Sequence, residues 1–364
     1  MGVIRFLLAL SVALWHVPGH PLLLMYAAPA VLGFFIISGF YMAMVLTEKY
    51  RDDARSFYLA RFWRLYPAYA AMAVIMILWF VATMSPTAFT TWLPVPFGDQ
   101  IVLALLNVVV VGQDLFQFSR YLFGDGSFLN EQWMLVGQAW SLSSEAFFYC
   151  LAPFVVHSPR RTAGLLIAAL ATRWILLGWL GLSMQWGYLF FPGALCMFLM
   201  GALGYHAYAR MRLRNAVTWA KIVAAGWLVW LAYSVASTGM MLPPGPQGSA
   251  DGVTFWIAYV AFALSAPLIF AWSRHSRIDR AIGDLSYPLY LVHGLVQGIL
   301  YFVVGLPQGR IEWALVAVSA SVLAAVAMRL GVEMPIEAWR ASHLRTSITV
   351  PTLEVRASLV GRTT

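Results

Sequence analysis

The chain has 364 residues, of which 61% are hydrophobic and only 10% charged, and its mean hydropathy is +0.76. Soluble domains carry about 25% charged residues, so the composition excludes an ordinary soluble fold and predicts an all-α integral membrane protein. The net charge of +8 does not indicate nucleic-acid binding, because the basic residues lie in short loops between apolar segments, as cytoplasmic loops do.

The first apolar segment, Val3 to His16, contains two polar residues that are costly at membrane depth, Arg5 and His16. Their eleven-residue separation spans roughly 16 Å of helix and close to three turns, so both side chains point to nearly the same face. Ionisable residues at such depth mark pathways or active sites. Because an imidazole titrates near neutral pH, His16 is a candidate general base, with ordinary packing as the alternative.

A second apolar segment covers about Leu24 to Leu46, and a third helix opens at Arg61 and runs to about Met84. Arg61 and Arg64, together with Arg5, form a candidate anion site, since arginine suits bidentate phosphate binding. For each arginine alone the alternative is ordinary charge topology, which places this side, and the N-terminus, in the cytoplasm.

The next apolar segment, Ile101 to Val111, has roughly half the length that a crossing needs, so we expect an interfacial or re-entrant piece. Leaving it out yields about ten transmembrane helices, with both termini and every later basic loop in the cytoplasm. An eleven-helix arrangement is the alternative, and it would place Arg160 and Arg161 outside. The later predicted crossings are Ala139–Val156, Thr162–Leu182, Gly187–Tyr208, Trp219–Met240, Gly252–Trp272, Leu285–Leu306 and Glu312–Met334.

The fourth crossing carries a carboxylate, Glu145, which is costly inside an apolar helix unless it is paired or functional. We expect it to pair with His16, because a carboxylate orients an imidazole and stabilises its charged form. The alternative is a structural ion pair, for instance with Arg173. Further along the chain, Tyr287 and His293 lie at helical spacing, where an aromatic face supports either a site or plain helix packing.

We expect one membrane domain, residues 1–337, followed by a cytoplasmic C-terminal tail, residues 338–364. No cleavable signal peptide is expected, since the first apolar segment lacks a charged leader and a small-residue cleavage site. No metal site is expected either, because the two cysteines of the chain both lie in apolar segments.

Several short motifs together, in order and spacing, resemble those of one family of membrane enzymes. The region from residue 3 to about 337 is similar to the acyltransferase 3 family of integral-membrane O-acyltransferases, which modify sugars on bacterial surface polysaccharides. One departure is Glu333-Met-Pro335, whose middle residue is usually basic in the family. The matching motifs are Arg5 and His16 with ten residues between them, Phe35-Ile-Ile-Ser38-Gly39-Phe40, Arg61-Phe-Trp-Arg64, Trp140-Ser-Leu-Ser-Ser-Glu145, and Leu285-Ser-Tyr-Pro-Leu-Tyr-Leu-Val-His293.

The resemblance implies a bacterial inner-membrane enzyme that moves an acyl group, most often acetyl, from cytoplasmic acyl-CoA to a hydroxyl of a cell-surface or exported glycan. Arg5, Arg61 and Arg64 would hold the CoA phosphates. His16 would act as the base or carry the acyl group briefly, with Glu145 orienting it. Supporting residues would be Ser38, Ser141, Arg173, Tyr287 and His293, and the residues stacking on the acceptor sugar would be Tyr121 and Trp133.

Two other function classes remain open at this stage. A transporter or flippase for a glycan or lipid-linked sugar would use intramembrane Arg, His and Glu as a substrate path. A structural subunit of a polysaccharide assembly complex would carry no chemistry. We see no internal repeat of the kind that secondary transporters have, and the family's appended esterase-like domain is not expected here. The acceptor would therefore reach the membrane domain directly or through a separate protein.

Overall fold

A computed structural model of the chain describes residues 1–17, 25–83, 97–114, 134–210, 218–227, 253–305, 307 and 309–344. Over these residues the fold is all-helical, without a β-strand. Wider π-helical turns extend three of the helices, at Ile175–Trp179, Ile299–Val303 and Arg329–Glu333. The helices are α1 (Gly2–Trp15), α2 (Ala27–Glu48), α3 (Ala54–Thr83), α4 (Phe97–Val109), α5 (Trp140–Val155), α6 (Pro159–Trp174), α7 (Gln185–Tyr188), α8 (Phe191–Arg210), α9 (218–227), α10 (Val253–Ser273), α11 (Arg277–Asp284), α12 (Ser286–Gly298), α13 (Ile311–Met328) and α14 (Met334–Leu344).

Five helices of the described region are long and apolar enough to cross a membrane, and each overlaps one of the ten predicted crossings. Others are shorter, such as α1 with 14 residues and α5 with 16. The predicted crossing Trp219–Met240 lies mostly outside the described residues. The predicted boundary at residue 337 falls inside α14. The five long helices are Ala27–Glu48, Ala54–Thr83, Pro159–Trp179, Phe255–Ser273 and Ile311–Ser342.

The third helix starts earlier than the sequence indicates, at Ala54 instead of Arg61. Its start is set by Asp53, whose side-chain carboxylate accepts a hydrogen bond from the backbone N–H of Ser56 at 2.9 Å, as helix N-caps do. Hydrogen bonds from the Ser56 hydroxyl and N–H lower the pKa of Asp53 below its ordinary value. Arg61 and Arg64 therefore lie about two to three turns inside α3.

The short predicted segment at 101–111 is the helix α4, whose 13 residues span about 20 Å, well short of the hydrocarbon thickness of about 30 Å. Leu103 and Asn107 are buried on one side of it, as is Val110 directly after its end. The hydroxyl of Tyr69 in α3 donates to the Asn107 carbonyl at 2.6 Å, which ties the helix to the bundle. Its outward side is apolar and exposed, at Ile101, Val102, Leu105, Val108 and Val109.

The helices α2 and α8 approach each other closely because glycines face each other's backbone. A Cβ atom at Gly39 would lie 1.8 Å from the carbonyl oxygen of Phe198, and one at Gly201 would lie 1.8 Å from that of Ile36. Phe35 and Phe198 stack beside this contact, with ring centroids 4.3 Å apart. Small residues of this kind allow helix backbones to pack tightly within a membrane.

The start of α1 is held by α11. The carboxylate of Asp279 accepts hydrogen bonds from the backbone N–H groups of Gly2 (2.7 Å) and Val3 (2.9 Å), and from the Met1 ammonium group (2.8 Å). A carboxylate at a helix N-terminus pairs otherwise unbonded N–H groups and meets the positive end of the helix dipole. Burial acts to raise the pKa of Asp279, but these hydrogen bonds outweigh it, and the pKa lies below its ordinary value.

Candidate active site

Two cavities lie at opposite ends of α1. The first, of about 360 Å³, is lined by Arg5, and we call it the arginine cavity. The second, of about 440 Å³, is lined by His16, and we call it the histidine cavity. The rise of the helix separates these two residues by roughly 16 Å. The structure thus divides the predicted site residues between two spaces.

The arginine cavity brings together the three predicted anion-binding residues, Arg5 from α1 and Arg61 and Arg64 from α3. It also contains a fourth arginine, Arg280 of α11, which the sequence analysis did not single out. In the sequence, Arg280 belongs to a cluster of loop arginines that reads as ordinary charge topology. The packing of α11 against the start of α1, which includes the hydrogen bonds of its neighbour Asp279 and the close approach of Gly2 and Gly283, brings it to the cavity.

Positive charge dominates the arginine cavity, since four arginines line it with one glutamate. Arg64 repels the charge of Arg5, while Glu145 attracts it. The Nε atom of Arg61 is buried and has no hydrogen-bond partner among the described residues, while its guanidinium lies 5.9 Å from the ring centroid of Phe57. Such an arrangement favours an anion with several acceptor oxygens.

Glu145 lies in the arginine cavity and not beside His16, which corrects the pairing expected from the sequence. Its Oε1 atom accepts hydrogen bonds from the hydroxyls of Ser38 and Tyr149, each at 2.6 Å. The reason is depth: Glu145 is only five residues into α5 and meets Ser38, which is in the middle of α2. Ser38 and Tyr149 are thus the direct partners of Glu145.

Arg173 does not form the alternative ion pair with Glu145. It is 2% exposed, and its guanidinium donates to the carbonyl oxygens of Gly187 and, at 2.9 Å, Gly193. The same group lies 5.5 Å from the ring centroid of Trp256. These contacts join α6 to the segment before and at the start of α8.

In the histidine cavity the partner of His16 is His293, with ring centroids 5.1 Å apart. The Nδ1 atom of His16 is 2.8 Å from the Val12 carbonyl oxygen, and that of His293 is 2.9 Å from the Tyr290 carbonyl oxygen. Since a carbonyl only accepts, both Nδ1 atoms carry hydrogen, and in the neutral rings each Nε2 atom is an acceptor. His16 is exposed, whereas His293 is 2% exposed.

The end of α1 at His16 is fixed by a buried side chain from α12. The Gln297 amide donates to the Ala13 carbonyl at 2.8 Å, which satisfies one of the last carbonyls of α1. Several aromatic side chains also line the histidine cavity, and among them Trp15 and Tyr26 lie with ring centroids 4.4 Å apart. Amphipathic aromatic rings of this kind suit a ligand that has both apolar faces and hydroxyl groups.

The other predicted residues lie at or near the two cavities or outside the described chain. Ser141 and Tyr287 line the arginine cavity, and the Tyr287 hydroxyl donates to the Leu65 carbonyl at 2.7 Å. Tyr121 and Trp133 lie outside the described residues. Within the described ranges, no group of three or more His, Cys, Asp or Glu side chains is arranged to hold a metal ion.

Comparison with known proteins identifies the family. A family model described as an acyltransferase domain matches residues 1–330. The chain is also similar to nodulation protein 10 of Rhizobium leguminosarum bv. viciae, with 27% identity over 361 residues, which covers 91% of this chain and 87% of that protein. No solved structure matches the chain. The chain, with its long apolar helices and its two cavities along α1, belongs to the acyltransferase 3 family and is a membrane acyltransferase.

Proposed function

We propose that the protein transfers an acyl group, most often acetyl, from acyl-CoA to a hydroxyl of a glycan that is exported or displayed at the cell surface. The observation that carries the proposal is the pair of cavities along α1, with cations around Arg5 and an imidazole base at His16. Membership of an acyltransferase family favours chemistry over the alternative of glycan transport.

The arginine cavity would hold the donor. Acyl-CoA carries phosphate groups at one end and its thioester at the end of a flexible pantetheine arm. Arg5, Arg61, Arg64 and Arg280 offer planar guanidinium groups that suit phosphate oxygens. With the phosphates bound there, the arm would extend along α1 and bring the thioester toward His16.

His16 would act as the general base. Its Nε2 atom takes the proton of an acceptor hydroxyl as the hydroxyl oxygen attacks the thioester carbonyl carbon. The new C–O bond forms and the C–S bond breaks, so that the acyl group becomes an ester and CoA leaves as a thiolate, which takes the proton back from the imidazolium. An imidazolium forms at lower cost on exposed His16 than on buried His293.

His293 would bind the acceptor rather than activate it. Its Nε2 atom can accept a hydrogen bond from a second hydroxyl of the same sugar, while its Nδ1 hydrogen stays on the Tyr290 carbonyl. Trp15 and Tyr26 provide rings against the apolar face of a sugar. Neighbouring hydroxyls on a rigid ring are typical of sugars, which supports a glycan acceptor.

The charge pattern of the loops supports a donor side in the cytoplasm and an acceptor side outside it. With the arginines of α3 and α11 on the inner side, acyl-CoA would enter directly from its own compartment. The family resemblance favours the bacterial inner membrane as the location. A separate protein that carries the acyl group onward is not required, because the histidine cavity can receive a sugar directly.

The test uses purified protein in proteoliposomes with radiolabelled acetyl-CoA and a glycan fraction from the producing cells. We expect His16→Ala to lower label transfer by about 10²-fold or more, while His275→Ala, at an exposed histidine outside both cavities, leaves it unchanged. Full transfer by His16→Ala would refute His16 as the base. Failure of the wild-type protein to bind acetyl-CoA or to transfer its label would refute the proposed reaction.

A further inference from the structure

The two cavities are separated by a thin partition. Among the described residues, Val31 of α2 and Tyr290 of α12 line both cavities. Both are buried, at 4% and 7% exposure. A group that moves from the arginine cavity to His16 would pass beside these two side chains, and we call this route the path.

Tyr290 is the rigid side of this partition. Its hydroxyl is 2.8 Å from Oγ of Ser141 and 3.2 Å from the Gln138 carbonyl oxygen. The Gln138 amide in turn donates to the carbonyl oxygens of Tyr290 (3.1 Å) and Leu291 (2.6 Å). The short 3₁₀ turn Gly137–Ala139, which precedes α5, thus holds both the backbone and the phenol of Tyr290.

The ring of Tyr290 reaches from one cavity to the other. It contacts Phe34, which lines the arginine cavity, with ring centroids 6.2 Å apart. On its other side it contacts His293 of the histidine cavity, with centroids 6.0 Å apart. The Tyr290 carbonyl also holds the Nδ1 hydrogen of His293. Movement of Tyr290 would therefore disturb the contact between the imidazoles of His16 and His293, so we expect the ring to stay in place.

Val31 is the adaptable side of the partition. Its isopropyl group makes no hydrogen bond, so a change of size at this position alters the width of the path and leaves the polar contacts of Tyr290 intact. Val31 also lies almost two turns, or about 10 Å along α2, before Ser38, which bonds Glu145. Substitution here separates the passage of the acyl group from the binding of the phosphates.

We infer that Val31 and Tyr290 set which acyl groups the enzyme transfers, by admitting a short acyl chain between the arginine cavity and His16 and excluding longer ones. This inference rests on the proposed function, because it takes acyl-CoA as the donor in the arginine cavity. When the thioester carbonyl reacts near His16, its acyl chain would rest against the partition. Each further methylene must then find room beside the fixed ring of Tyr290 and the branched side chain of Val31.

The test compares Val31→Ala and Val31→Phe with the same substitutions at Val316, which lies in α13, is 42% exposed and lines neither cavity. Membrane vesicles come from cells that express a single variant and contain the natural acceptor. Label transfer is measured from acetyl-CoA and from butyryl-CoA. Binding of radiolabelled CoA to each purified variant is measured separately, and thermal unfolding in detergent reports whether the variant is folded.

For Val31→Ala we expect the ratio of butyryl to acetyl transfer to rise by about tenfold or more, which is the usual effect of one or two methylenes in an apolar pocket. For Val31→Phe we expect transfer of both groups to fall by about tenfold or more, with CoA binding unchanged. Both Val316 variants should behave as wild type.

An unchanged ratio in Val31→Ala, or wild-type transfer by Val31→Phe, would overturn the role of the partition while leaving the proposed reaction intact. Loss of CoA binding in a Val31→Phe variant that keeps the wild-type Tm would also overturn it, since the partition would then belong to the phosphate site. A wild-type protein that neither binds CoA nor transfers acetyl would instead refute the proposed function.

Discussion

The imidazoles of His16 and His293 face each other across 5.1 Å between ring centroids, and each donates its Nδ1 hydrogen to a carbonyl of its own helix. The backbone therefore selects the same tautomer in both rings, without a carboxylate. This arrangement supplies two acceptor nitrogens to one small space. Because His16 is exposed and His293 is buried, the two histidines can serve different roles.

We expect the two histidines to respond differently to substitution. His293→Gln keeps a side-chain oxygen that can accept a hydrogen bond, so we expect transfer to fall by about tenfold, with an unchanged KM for acetyl-CoA. His16→Gln should lower transfer by about 10²-fold or more, because an amide does not take a proton at neutral pH. Transfer rates at varied acetyl-CoA concentration check both values, with His275→Gln as the control. Equal losses in the two variants would contradict the assignment of a single base.

Arg280 should contribute to donor binding although it lies far from the other three arginines in sequence. For Arg280→Ala we expect the KM for acetyl-CoA to rise by about tenfold, the value of one hydrogen bond to a charged group, with a smaller change in kcat. The matched control is Arg277→Ala, which removes an exposed arginine of the same helix that does not line the cavity. A KM that stays at the wild-type value would remove Arg280 from the donor site.

Replacing Glu145 distinguishes two roles of its carboxylate: an effect of its charge on donor binding, and assistance to the base. In Glu145→Gln the Oε1 contacts with Ser38 and Tyr149 can persist, but the negative charge near Arg5 is lost. We therefore expect a lower KM for the anionic donor, by roughly threefold to tenfold, because the attraction to the arginines increases. The exposed Glu312→Gln serves as the control. A loss of kcat of about 10³-fold with unchanged KM would instead restore Glu145 as the partner of the base.

Asp279 should stabilise the protein through the start of α1. Because the fold lowers the pKa of Asp279, its contribution is present above the ordinary pKa of 3.8 and is lost as the pH falls through the lower value in the folded protein. At neutral pH we expect Asp279→Asn to reduce stability by about 1 kcal/mol, and the Tm by a few degrees. Thermal unfolding in detergent measures this, and Asp52→Asn, at an exposed aspartate in the loop before α3, should leave the Tm unchanged.

Much of the site follows from local patterns. Helical spacing and charge are enough to place Arg61 and Arg64 on one face, and the unusual position of Arg5 inside an apolar segment points to the same cavity. Their part in donor binding stays a prediction. Tyr287 and His293 were expected on one face of a helix, and both lie in α12, although they face different cavities.

The remaining contacts depend on depth and on distant parts of the chain. The pairing of Glu145 with His16 was wrong because hydropathy does not tell how deep in the bundle α5 begins, and Glu145 meets Ser38 instead. Arg280 was missed because its position depends on how α11 packs against the start of α1. There Asp279 bonds Gly2 and Val3, which precede it by 277 and 276 positions. The pairing of His16 with His293 likewise depends on how α1 packs against α12.

Hydrogen bonds at both ends of α1 restrict how the helix can move. Asp279 holds the helix at Gly2 and Val3, and Gln297 holds it at Ala13, so α1 can neither slide nor rotate freely between its two cavities. The helix fixes the distance and the angle between Arg5 and His16. One residue inserted between them would rotate one relative to the other by about 100° and lengthen their separation by about 1.5 Å. The ten residues between Arg5 and His16 therefore keep the donor site and the base on one face of α1. An insertion or deletion would separate phosphate binding from proton transfer without removing either group.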